Sequence, residues 1–329
     1  MLISRTPFRI SFFGGGTDYP AWYQENDGAV LGTTIDKYCY ITCRYLPPFF
    51  EHKHRIIYSQ MERAQNIDEI RHPSARETLR FMGITEGMEI HHDGDLPART
   101  GLGSSSSFTV GLLHALYALK GITPSKMQLA LDAIHIEQER IRENVGSQDQ
   151  TLAAFGGFNR IDFSGKNNIQ VRPITLNHQR LELLQNHLML LFTGFSRNAS
   201  EIAGEQIKNI PHKKTILSTM RQMVDEAINI LNGDNDLLDF GKLLHESWQL
   251  KRSLTDKIST PLIDEIYSTA LSAGALGGKL LGAGGGGFML IFAKPEVQPR
   301  IKNKLKNLLY VPFRFENLGS QIIFYEPSS

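Results

Sequence analysis

In the first third of the chain, apolar residues alternate with polar ones or run together in short stretches rich in β-branched and aromatic side chains. This pattern is typical of β-strands, and it predicts strands over residues 8–13, 38–45 and 88–93. A different period follows. Residues 104–119 repeat their apolar positions at helical spacing, and Gly121 closes the segment as a helix C-terminus would be closed.

The rest of the chain mixes the two periods. Thr123 as N-cap and Pro124 in the first turn predict a helix that runs to about residue 143. Further strands are predicted over 188–192, 288–293, 311–315 and 321–325, and further helices over 199–208, 214–232, 236–252, 261–273 and 301–309. Strands and helices on both sides of a weak boundary predict an α+β protein of two domains, 1–180 and 181–329.

Composition excludes several classes of partner. A net charge of +1 gives no reason to expect nucleic acid or a membrane surface. The N-terminus lacks a basic segment followed by an apolar core, and no apolar run is long enough to span a bilayer. The two cysteines, Cys39 and Cys43, make a poor zinc signature alone. We expect them to be small buried residues of a cytoplasmic protein.

The sharpest local feature is the segment P-A-R-T-G-L-G-S-S-S-S at residues 97–107, where the predicted helix 104–119 begins. Glycines let the backbone approach a ligand closely, and the unpaired N–H groups of a helix start favour an anion. Serines also cap helices, but four in succession exceed what a cap needs. No G-K-[ST] follows the glycines, and the chain contains neither H-R-D nor D-F-G. The segment predicts a phosphate site made by Gly101, Leu102, Gly103, Ser104, Ser105 and Ser106.

Two further segments are rich in glycine. Residues 14–16 follow a predicted strand and precede Thr17 and Asp18, which favours a ligand close to the backbone and a carboxylate that accepts from hydroxyls. A mobile loop is the alternative. Residues 277–287 read G-G-K-L-L-G-A-G-G-G-G before an apolar strand. So many glycines carry an entropic cost that needs a functional or structural reason.

Taken together, the three segments resemble the GHMP kinases, the family of galactokinase, homoserine kinase, mevalonate kinase and phosphomevalonate kinase. The shared motifs are P-x-R-x-x-x-x-G-x-x-T-D-Y, P-x-x-x-G-L-G-S-S and G-x-G-G-G-G-F, and they occur in the family's order. The resemblance implies a two-domain GHMP kinase fold, with an N-terminal domain like ribosomal protein S5 domain 2 and a ferredoxin-like C-terminal domain. It also implies an enzyme that transfers the γ-phosphoryl group of ATP to an alcohol.

The resemblance also implies a set of catalytic residues. Asp149, in the segment G-S-Q-D-Q, would act as the catalytic base, and Arg9 would lie near the transferred group. Ser105 and Glu137 would hold Mg²⁺. Glu137 also falls on a mostly apolar helical stripe, where a carboxylate is costly unless a cation pairs with it. A salt bridge at a domain edge is the alternative for Glu137.

The acceptor would be a sugar. By resemblance, its hydroxyls would contact Gly15, Gly16, Thr17, Asp18, Gly284 and Gly285. If the sugar carries a phosphate, cations are needed, and we expect them to be Arg197, Lys251 and Arg252. The alternative is that Lys251 and Arg252 lie at the C-terminus of a helix and complement the helix dipole there. Lys213, Lys214 and residues 52–55 are interpreted as solvated surface.

Within the family, the segments F-F-G-G-G-T-D, G-F-S-R-N-A and H-E-S-W-Q-L-K-R resemble members that phosphorylate a heptose 7-phosphate at C1, on the way to nucleotide-activated heptose for surface polysaccharide. Galactokinases carry Glu-His where this chain has Gly15 and Gly16, so space opens and a negative charge is lost. Alternatives are a C1 kinase for fucose, galactose or mannose, a non-catalytic sugar sensor, and a diphosphomevalonate decarboxylase. The expected partners are ATP and a sugar phosphate; a homodimer is left open.

Overall fold

The computed structural model describes residues 1–166, 168–194, 199–233 and 236–326. Its strands are β1 (Leu2–Phe13), β2 (Gly28–Tyr45), β3 (His54–Ile57), β4 (Met61–Ala64), β5 (Met88–Gly94), β6 (Phe158–Ser164), β7 (Asn168–Pro173), β8 (Leu188–Gly194), β9 (Gly277–Leu280), β10 (Gly287–Phe292), β11 (Leu309–Tyr310), β12 (Phe315–Glu316) and β13 (Gln321–Tyr325). Its α-helices are α1 (Pro20–Tyr23), α2 (Pro73–Phe81), α3 (Ser104–Leu119), α4 (Lys126–His135), α5 (Gln148–Phe155), α6 (His178–Asn186), α7 (Ala199–Asn209), α8 (Lys214–Asn232), α9 (Leu238–Arg252), α10 (Pro261–Ser272) and α11 (Gln298–Lys304).

The larger sheet is organised around β2. Its strand order is β13-β1-β2-β5-β3-β4, and β6, β7 and β12 join it on the side of β2. Because β2 has 18 residues, its first part pairs with β6 and its later part with β5. The strand β1 pairs antiparallel with β2 and ends at Phe13, directly before the first glycine segment. Helix α3 packs on β1 and β2, with α4 and α5 beside it.

The smaller sheet belongs to the second half of the chain. It is antiparallel in the order β11-β8-β10-β9, and β9 packs against α9. Helix α8 connects the halves, since it contacts both α9 and the strands β1 and β2. The predicted α+β class and two-domain organisation are confirmed. Both cysteines lie buried and unbridged in β2, as expected.

The last strands of the chain return to the first sheet. Strand β13 pairs with β1, and β12 pairs with β2. The division into 1–180 and 181–329 stays a prediction, and the strands β12 and β13 lie with the N-terminal sheet rather than with the smaller one. Any cut near residue 180 therefore separates the larger sheet from one of its edges.

Several predicted boundaries are wrong for identifiable reasons. Helix α4 starts after Ser125, whose hydroxyl accepts from the N–H of Gln128 (3.0 Å), so the cap is not Thr123. After His135 the helix widens into a π-helical segment, Ile136–Ile141. The helix predicted over 301–309 occupies Gln298–Lys304 instead. The strand predicted over 311–315 is absent from the described residues as a continuous element, because Val311 and Phe315 pair with different sheets.

Candidate active site

A single large cleft brings the three glycine-rich segments together. Its volume is about 1090 Å³, and its walls include the end of β1, the loop after it, the start of α3, the loop before α5, one face of α7 and the loop between β9 and β10. All three segments were predicted to contact ligand, and each contributes residues to these walls. The cleft therefore joins the three predicted ligand-contacting segments in one site.

The start of α3 is open toward the cleft. Gly103 precedes the helix in a left-handed conformation (φ 76°), and within the described residues no side chain caps it. Ser104 accepts from the N–H of Arg99 (3.1 Å), while Ser105 is exposed on the cleft wall. Unpaired N–H groups and the helix dipole make such a terminus attractive to an anion. This is the geometry expected of the predicted phosphate site.

The third glycine segment packs directly on residues 97–103, the predicted phosphate loop that precedes α3. A Cβ on Gly101 would overlap the carbonyl of Leu281, and one on Gly282 would lie 2.5 Å from Cα of Gly101. The N–H of Phe288 donates to the carbonyl of Thr100 (3.1 Å). These glycines thus allow two backbones to touch, which is one reason for the entropic cost noted above.

Gly284 and Gly285 were predicted to contact the sugar, and the structure gives them another role. A Cβ on Gly284 would lie 2.8 Å from backbone atoms of Ile258, and the N–H of Gly285 donates to the carbonyl of Ile258 (2.9 Å). Their neighbours Gly282 and Ala283 line the cleft instead. The correction arises because the loop turns its second half toward the segment after α9.

Asp149 and Arg9 form a bidentate ion pair beside the phosphate loop. Nε of Arg9 donates to Oδ1 of Asp149 (2.8 Å), and Nη2 donates to Oδ2 (2.6 Å). The remaining nitrogen, Nη1, donates to the carbonyl of Gly101 (2.6 Å). Arg9 is 4% exposed, whereas the Asp149 side chain is 26% exposed toward the cleft. The predicted base is thus accessible and its orientation is fixed by Arg9.

Asp18 lies buried next to the segment that carries Asp149. Its carboxylate accepts from the N–H of Gly16 and from Nε2 of Gln148, both at 2.9 Å. Burial raises the pKa of Asp18, and the nearby charge of Asp149 raises it further. Gly146 has to be glycine, because a Cβ there would overlap the Asp18 carboxylate. Asp18, Gly15 and Gly16 line the cleft as predicted.

Thr17 does not take the predicted part in sugar binding. It is fully buried, and its hydroxyl donates to the carbonyls of Gly14 (2.7 Å) and Ala29 (3.0 Å). These bonds hold the turn that follows β1. Thr17 therefore shapes the first glycine segment from behind, and Asp18 alone of the Thr-Asp pair reaches the cleft.

Glu137 is fully buried behind the start of α3. Its Oε2 accepts from the Ser106 hydroxyl (2.8 Å) and from Nε2 of Gln150, while Oε1 has no hydrogen-bond partner among the described residues. Burial raises the pKa of Glu137 to about 7. Ser106 is therefore the serine that contacts Glu137, while Ser105 faces the cleft, and the prediction that Ser105 and Glu137 hold Mg²⁺ stays a prediction.

These oxygen donors suit a hard divalent cation such as Mg²⁺, which takes few protein ligands and keeps several waters. The described part of the chain contains no group of three or more His, Cys, Asp or Glu residues placed to hold a metal. A metal at this site would therefore depend on phosphate oxygens for part of its coordination. The unpartnered Oε1 of Glu137 is the observation in this structure that fits such an ion.

The predicted sugar-phosphate residues have three different outcomes. Lys251 is buried and lines the cleft. Arg252 pairs with Asp264 (2.8 Å) and links α9 to α10, outside the cleft walls that the described residues form, so this geometry does not support its predicted role. Arg197 lies outside the described residues.

Sequence reasoning missed one buried cation. Lys279, in β9, lines the cleft, is 3% exposed and donates to the carbonyl of Phe12 (2.8 Å). The sequence did contain an indication of it. A lysine inside an otherwise apolar and glycine-rich strand is costly to bury unless it binds a polar or charged group. Gln206 was also missed, since an isolated glutamine carries no motif. Gln148 stood in the segment G-S-Q-D-Q, but no role was predicted for it.

Comparison with known proteins agrees with the family that the three glycine-rich segments predicted. The family model for the GHMP kinases N terminal domain matches residues 70–157, and the model for the GHMP kinases C terminal region matches residues 223–311. Together the two matches cover more than half of the chain. The chain belongs to the GHMP kinases and is an ATP-dependent phosphotransferase, as the sequence motifs predicted.

Individual relatives span nearly the whole length. D-glycero-alpha-D-manno-heptose 7-phosphate kinase of Campylobacter jejuni is 28% identical over 89% of each chain. Galactokinase of Thermotoga neapolitana is 23% identical over 95% of each chain. A solved D-glycero-D-manno-heptose 1-phosphate kinase of Bacteroides thetaiotaomicron superposes with a TM-score of 0.80 at 22% identity, covering 100% of both chains. The structural likeness establishes the fold. Among the described residues there is no helix with the length and apolarity needed to cross a membrane.

Proposed function

We propose that this protein is a sugar kinase that transfers the γ-phosphoryl group of ATP to the anomeric C1 hydroxyl of D-glycero-D-manno-heptose 7-phosphate. The product would be the 1,7-bisphosphate. The observation that carries the proposal is the ion pair of Asp149 and Arg9, which opens into the same cleft as the uncapped start of α3. A base and an anion site therefore face one acceptor position.

Phosphoryl transfer depends mainly on positioning and on neutralisation of charge. The backbone of residues 101–106 would hold the β- and γ-phosphates at the start of α3. Arg9, already bonded to the Gly101 carbonyl, would neutralise charge that develops on the transferred group. Asp149 would accept or orient the proton of the attacking hydroxyl. An anomeric hydroxyl is a more acidic acceptor than an ordinary alcohol, which makes that proton transfer easier.

Mg²⁺ would be held by Glu137 together with the hydroxyls of Ser105 and Ser106, the latter already donating to Glu137. When bound, the ion neutralises phosphate charge. The nucleotide's base would extend to the aromatic end of the cleft, where His72 lies between Tyr58 and Phe108 with ring centroids 4.8 and 4.5 Å away. The sugar then takes the opposite end, beside Gly15, Gly16 and Asp18.

The acceptor end supports a sugar larger and more negative than galactose. Gly15 leaves open space, because a Cβ added there would have Gln148 and Ser11 as its nearest side chains, each 3.8 Å away. Two buried lysines, Lys251 and Lys279, contribute positive charge to the same walls. The Campylobacter relative named above is a heptose 7-phosphate kinase, which agrees with this chemistry. We therefore assign the enzyme to the cytoplasmic synthesis of nucleotide-activated heptose for surface polysaccharide.

A panel of acceptors tests the proposal. ADP release is measured by a coupled assay with D-glycero-D-manno-heptose 7-phosphate, free heptose, fucose, galactose, mannose and mevalonate, each with and without Mg²⁺. We expect the heptose 7-phosphate to give the highest kcat/KM and phosphorus NMR to locate the new phosphate on C1. Faster turnover of a free sugar would contradict the proposed substrate. No acceptor-dependent ADP release would favour a sugar-binding protein without catalysis.

A further inference from the structure

Two ammonium groups lie buried at the acceptor end of the cleft without a carboxylate partner. Lys251, at the end of α9, is 6% exposed, and Lys279, in β9, is 3% exposed. Both line the cleft. Over residues 1–166, 168–194, 199–233 and 236–326, no Asp or Glu oxygen lies within 4.0 Å of either nitrogen. Buried charges in proteins are ordinarily paired, so this arrangement is costly without an anion.

The bonds that these groups make leave donors for a ligand. Nζ of Lys251 donates to the carbonyls of Gly282 (2.5 Å) and Leu280 (3.3 Å), and Nζ of Lys279 donates to the carbonyl of Phe12 (2.8 Å). An ammonium has three N–H donors. The remaining donors, one on Lys251 and two on Lys279, belong to side chains that line the cleft. Neutral carbonyls fix the position of each group without neutralising its charge.

Electrostatic interactions identify the charged groups that lie near the two lysines. The pKa of Lys251 is lowered to about 8, mainly by burial and also by Arg9, while Asp18 and Asp149 oppose the shift. Burial also lowers the pKa of Lys279, as do Lys251 and Arg9, and Asp18 opposes them. The positive charge of Lys251 thus disfavours the charged form of Lys279 by repulsion. An anion between them would relieve both the burial cost and this repulsion.

We propose that Lys279 and Lys251 form a subsite for phosphoryl oxygens at the acceptor end of the cleft, with Lys279 as a specificity-determining residue that no motif of the family pattern marked. The inference rests on the proposed function. Phosphoryl oxygens reach this position from one of two sources. One is the phosphate that the acceptor already carries, and the other is the γ-phosphoryl group as it is transferred past Arg9.

The test removes the positive charge of the lysine and keeps its hydrogen bond to a backbone carbonyl. Lys279→Gln retains a donor for the Phe12 carbonyl and removes the ammonium. Lys251→Gln is the second variant, and Lys242→Gln is the matched control, since Lys242 lies on α9, is exposed and pairs with Asp239 (2.8 Å). Calorimetry with ADP present gives the affinity for heptose 7-phosphate and for free heptose. Steady-state assays give kcat and KM for both sugars.

If the acceptor's phosphate occupies the subsite, each glutamine variant weakens binding of heptose 7-phosphate by about 10- to 100-fold, the range for a hydrogen bond to a charged group. Binding of free heptose then changes by less than about twofold. If the transferred group occupies it, kcat falls by a similar factor with both sugars and acceptor affinity stays the same. The Lys242→Gln control behaves as the wild type in both cases.

The proposal is overturned if folded Lys279→Gln and Lys251→Gln retain wild-type affinities and kcat, or if they lose only thermal stability. Should the wild type neither bind nor phosphorylate heptose 7-phosphate, the proposed function fails, and inorganic phosphate with ADP present becomes the probe of the subsite. Weaker phosphate binding in either variant then supports the subsite alone, and unchanged binding refutes it. If Lys279→Gln does not fold, Lys251→Gln decides in the same assays.

Discussion

Asp149 combines accessibility with a fixed orientation. It stands in the first turn of α5 and accepts two hydrogen bonds from Arg9, at 2.8 and 2.6 Å. Gly103 of the phosphate loop lies close to this carboxylate, since a Cβ there would lie 3.4 Å from Oδ2 of Asp149. A carboxylate in this position is close to any group bound at the start of α3, which is what a base for phosphoryl transfer requires.

Asp149→Asn therefore separates chemistry from binding. The amide keeps the shape of the side chain but accepts no proton, so we expect the protein to fold and to bind ATP with nearly wild-type affinity. We expect kcat to fall by about 10²- to 10⁴-fold, the usual contribution of a general base. Circular dichroism and ATP titration serve as controls for the coupled assay. Turnover close to that of the wild type would remove Asp149 from the role of base.

Lys251 makes the acceptor's affinity depend on pH. Its pKa is lowered to about 8, first by burial and then by Arg9, while Asp18 and Asp149 oppose the shift. A phosphate bound beside it favours the protonated form, so affinity is full below pH 8 and is lost as pH rises above 8. We expect KM for heptose 7-phosphate to rise by about fivefold between pH 8 and pH 9 if one proton is required.

Two comparisons control this pH profile. Lys251→Arg keeps its charge at all these pH values and should flatten the rise in KM. Free heptose, which lacks the phosphate, should show a flat KM in the wild type over the same range. A rise of the same size with free heptose would assign the titration to another group, such as Lys279 or Asp18, acting on the sugar hydroxyls.

At the scale of elements, the phosphate loop and the loop between β9 and β10 form one unit. They touch at Gly101 and Gly282, and they are joined by the bond between Phe288 N–H and the Thr100 carbonyl (3.1 Å). Lys251 adds a third connection, because it donates to the carbonyl of Gly282 (2.5 Å). The position of the phosphate site in the N-terminal half thus depends on a loop from the C-terminal half.

Gly282→Ala tests that dependence. The new Cβ would lie 2.5 Å from Cα of Gly101, and the residue has φ 76°, so the two loops must separate. We expect KM for ATP to rise at least about tenfold, with about 1–3 kcal/mol of stability lost as in other overpacked sites. Gly121→Ala is the control, since φ is 68° and no described atom outside its neighbours lies within 4 Å. An unchanged KM for ATP would show that the contact only stabilises the fold.

Elements with strong periodicity could be predicted, and elements set by tertiary contacts could not. The bounds of Ser104–Leu119 and Lys214–Asn232 followed from their apolar spacing. Helix α5 was not predicted, because it is eight residues long and buries Gln148, Gln150 and Thr151, so its sequence lacks an apolar face. Two of these buried polar residues donate hydrogen bonds to buried carboxylates: Gln148 to Asp18 and Gln150 to Glu137.

Site residues divide in the same way. Motifs located Arg9, Asp149 and the start of α3, because glycine spacing and a carboxylate near it reflect local chemistry. They did not separate Lys251 from Arg252, since adjacent residues on a helix point in different directions and only the fold decides which one faces the cleft. Lys279 was missed because its hydrogen-bond partner lies far away in the sequence. Its partner, the carbonyl of Phe12, is 267 positions away in sequence.

At the scale of the whole molecule, the C-terminal segment packs against helix α5, which carries the proposed base Asp149. After β12, the chain passes the end of α5, where the N–H of Ser320 donates to the carbonyl of Ala153 (2.9 Å), and continues as β13 along β1. Gly319 and Gly156 allow this contact, because a Cβ on either would overlap the other segment's backbone. Helix α5 is thus held at its far end by the last residues, while its first turn presents Asp149.

Gly319→Ala should therefore affect catalysis from outside the cleft. The added Cβ would overlap the Ala154 carbonyl, so either the C-terminal segment or α5 must move. We expect about 1–3 kcal/mol of lost stability, measured by urea unfolding. Well below the unfolding transition we also expect at least about a tenfold lower kcat with little change in KM for ATP, because a displacement near 1 Å at Asp149 is enough for such a loss.

The matched control is Gly83→Ala, a glycine with φ 58° and no described atom outside its neighbours within 4 Å. It should lose about 1–2 kcal/mol, the cost of the left-handed backbone conformation, and retain its kcat. Lower stability of Gly319→Ala with full kcat would mean that the C-terminal strands only secure the sheet edge. A lower kcat, together with a displaced α5, would show that the C-terminal segment sets the orientation of the proposed base although it is remote from the cleft.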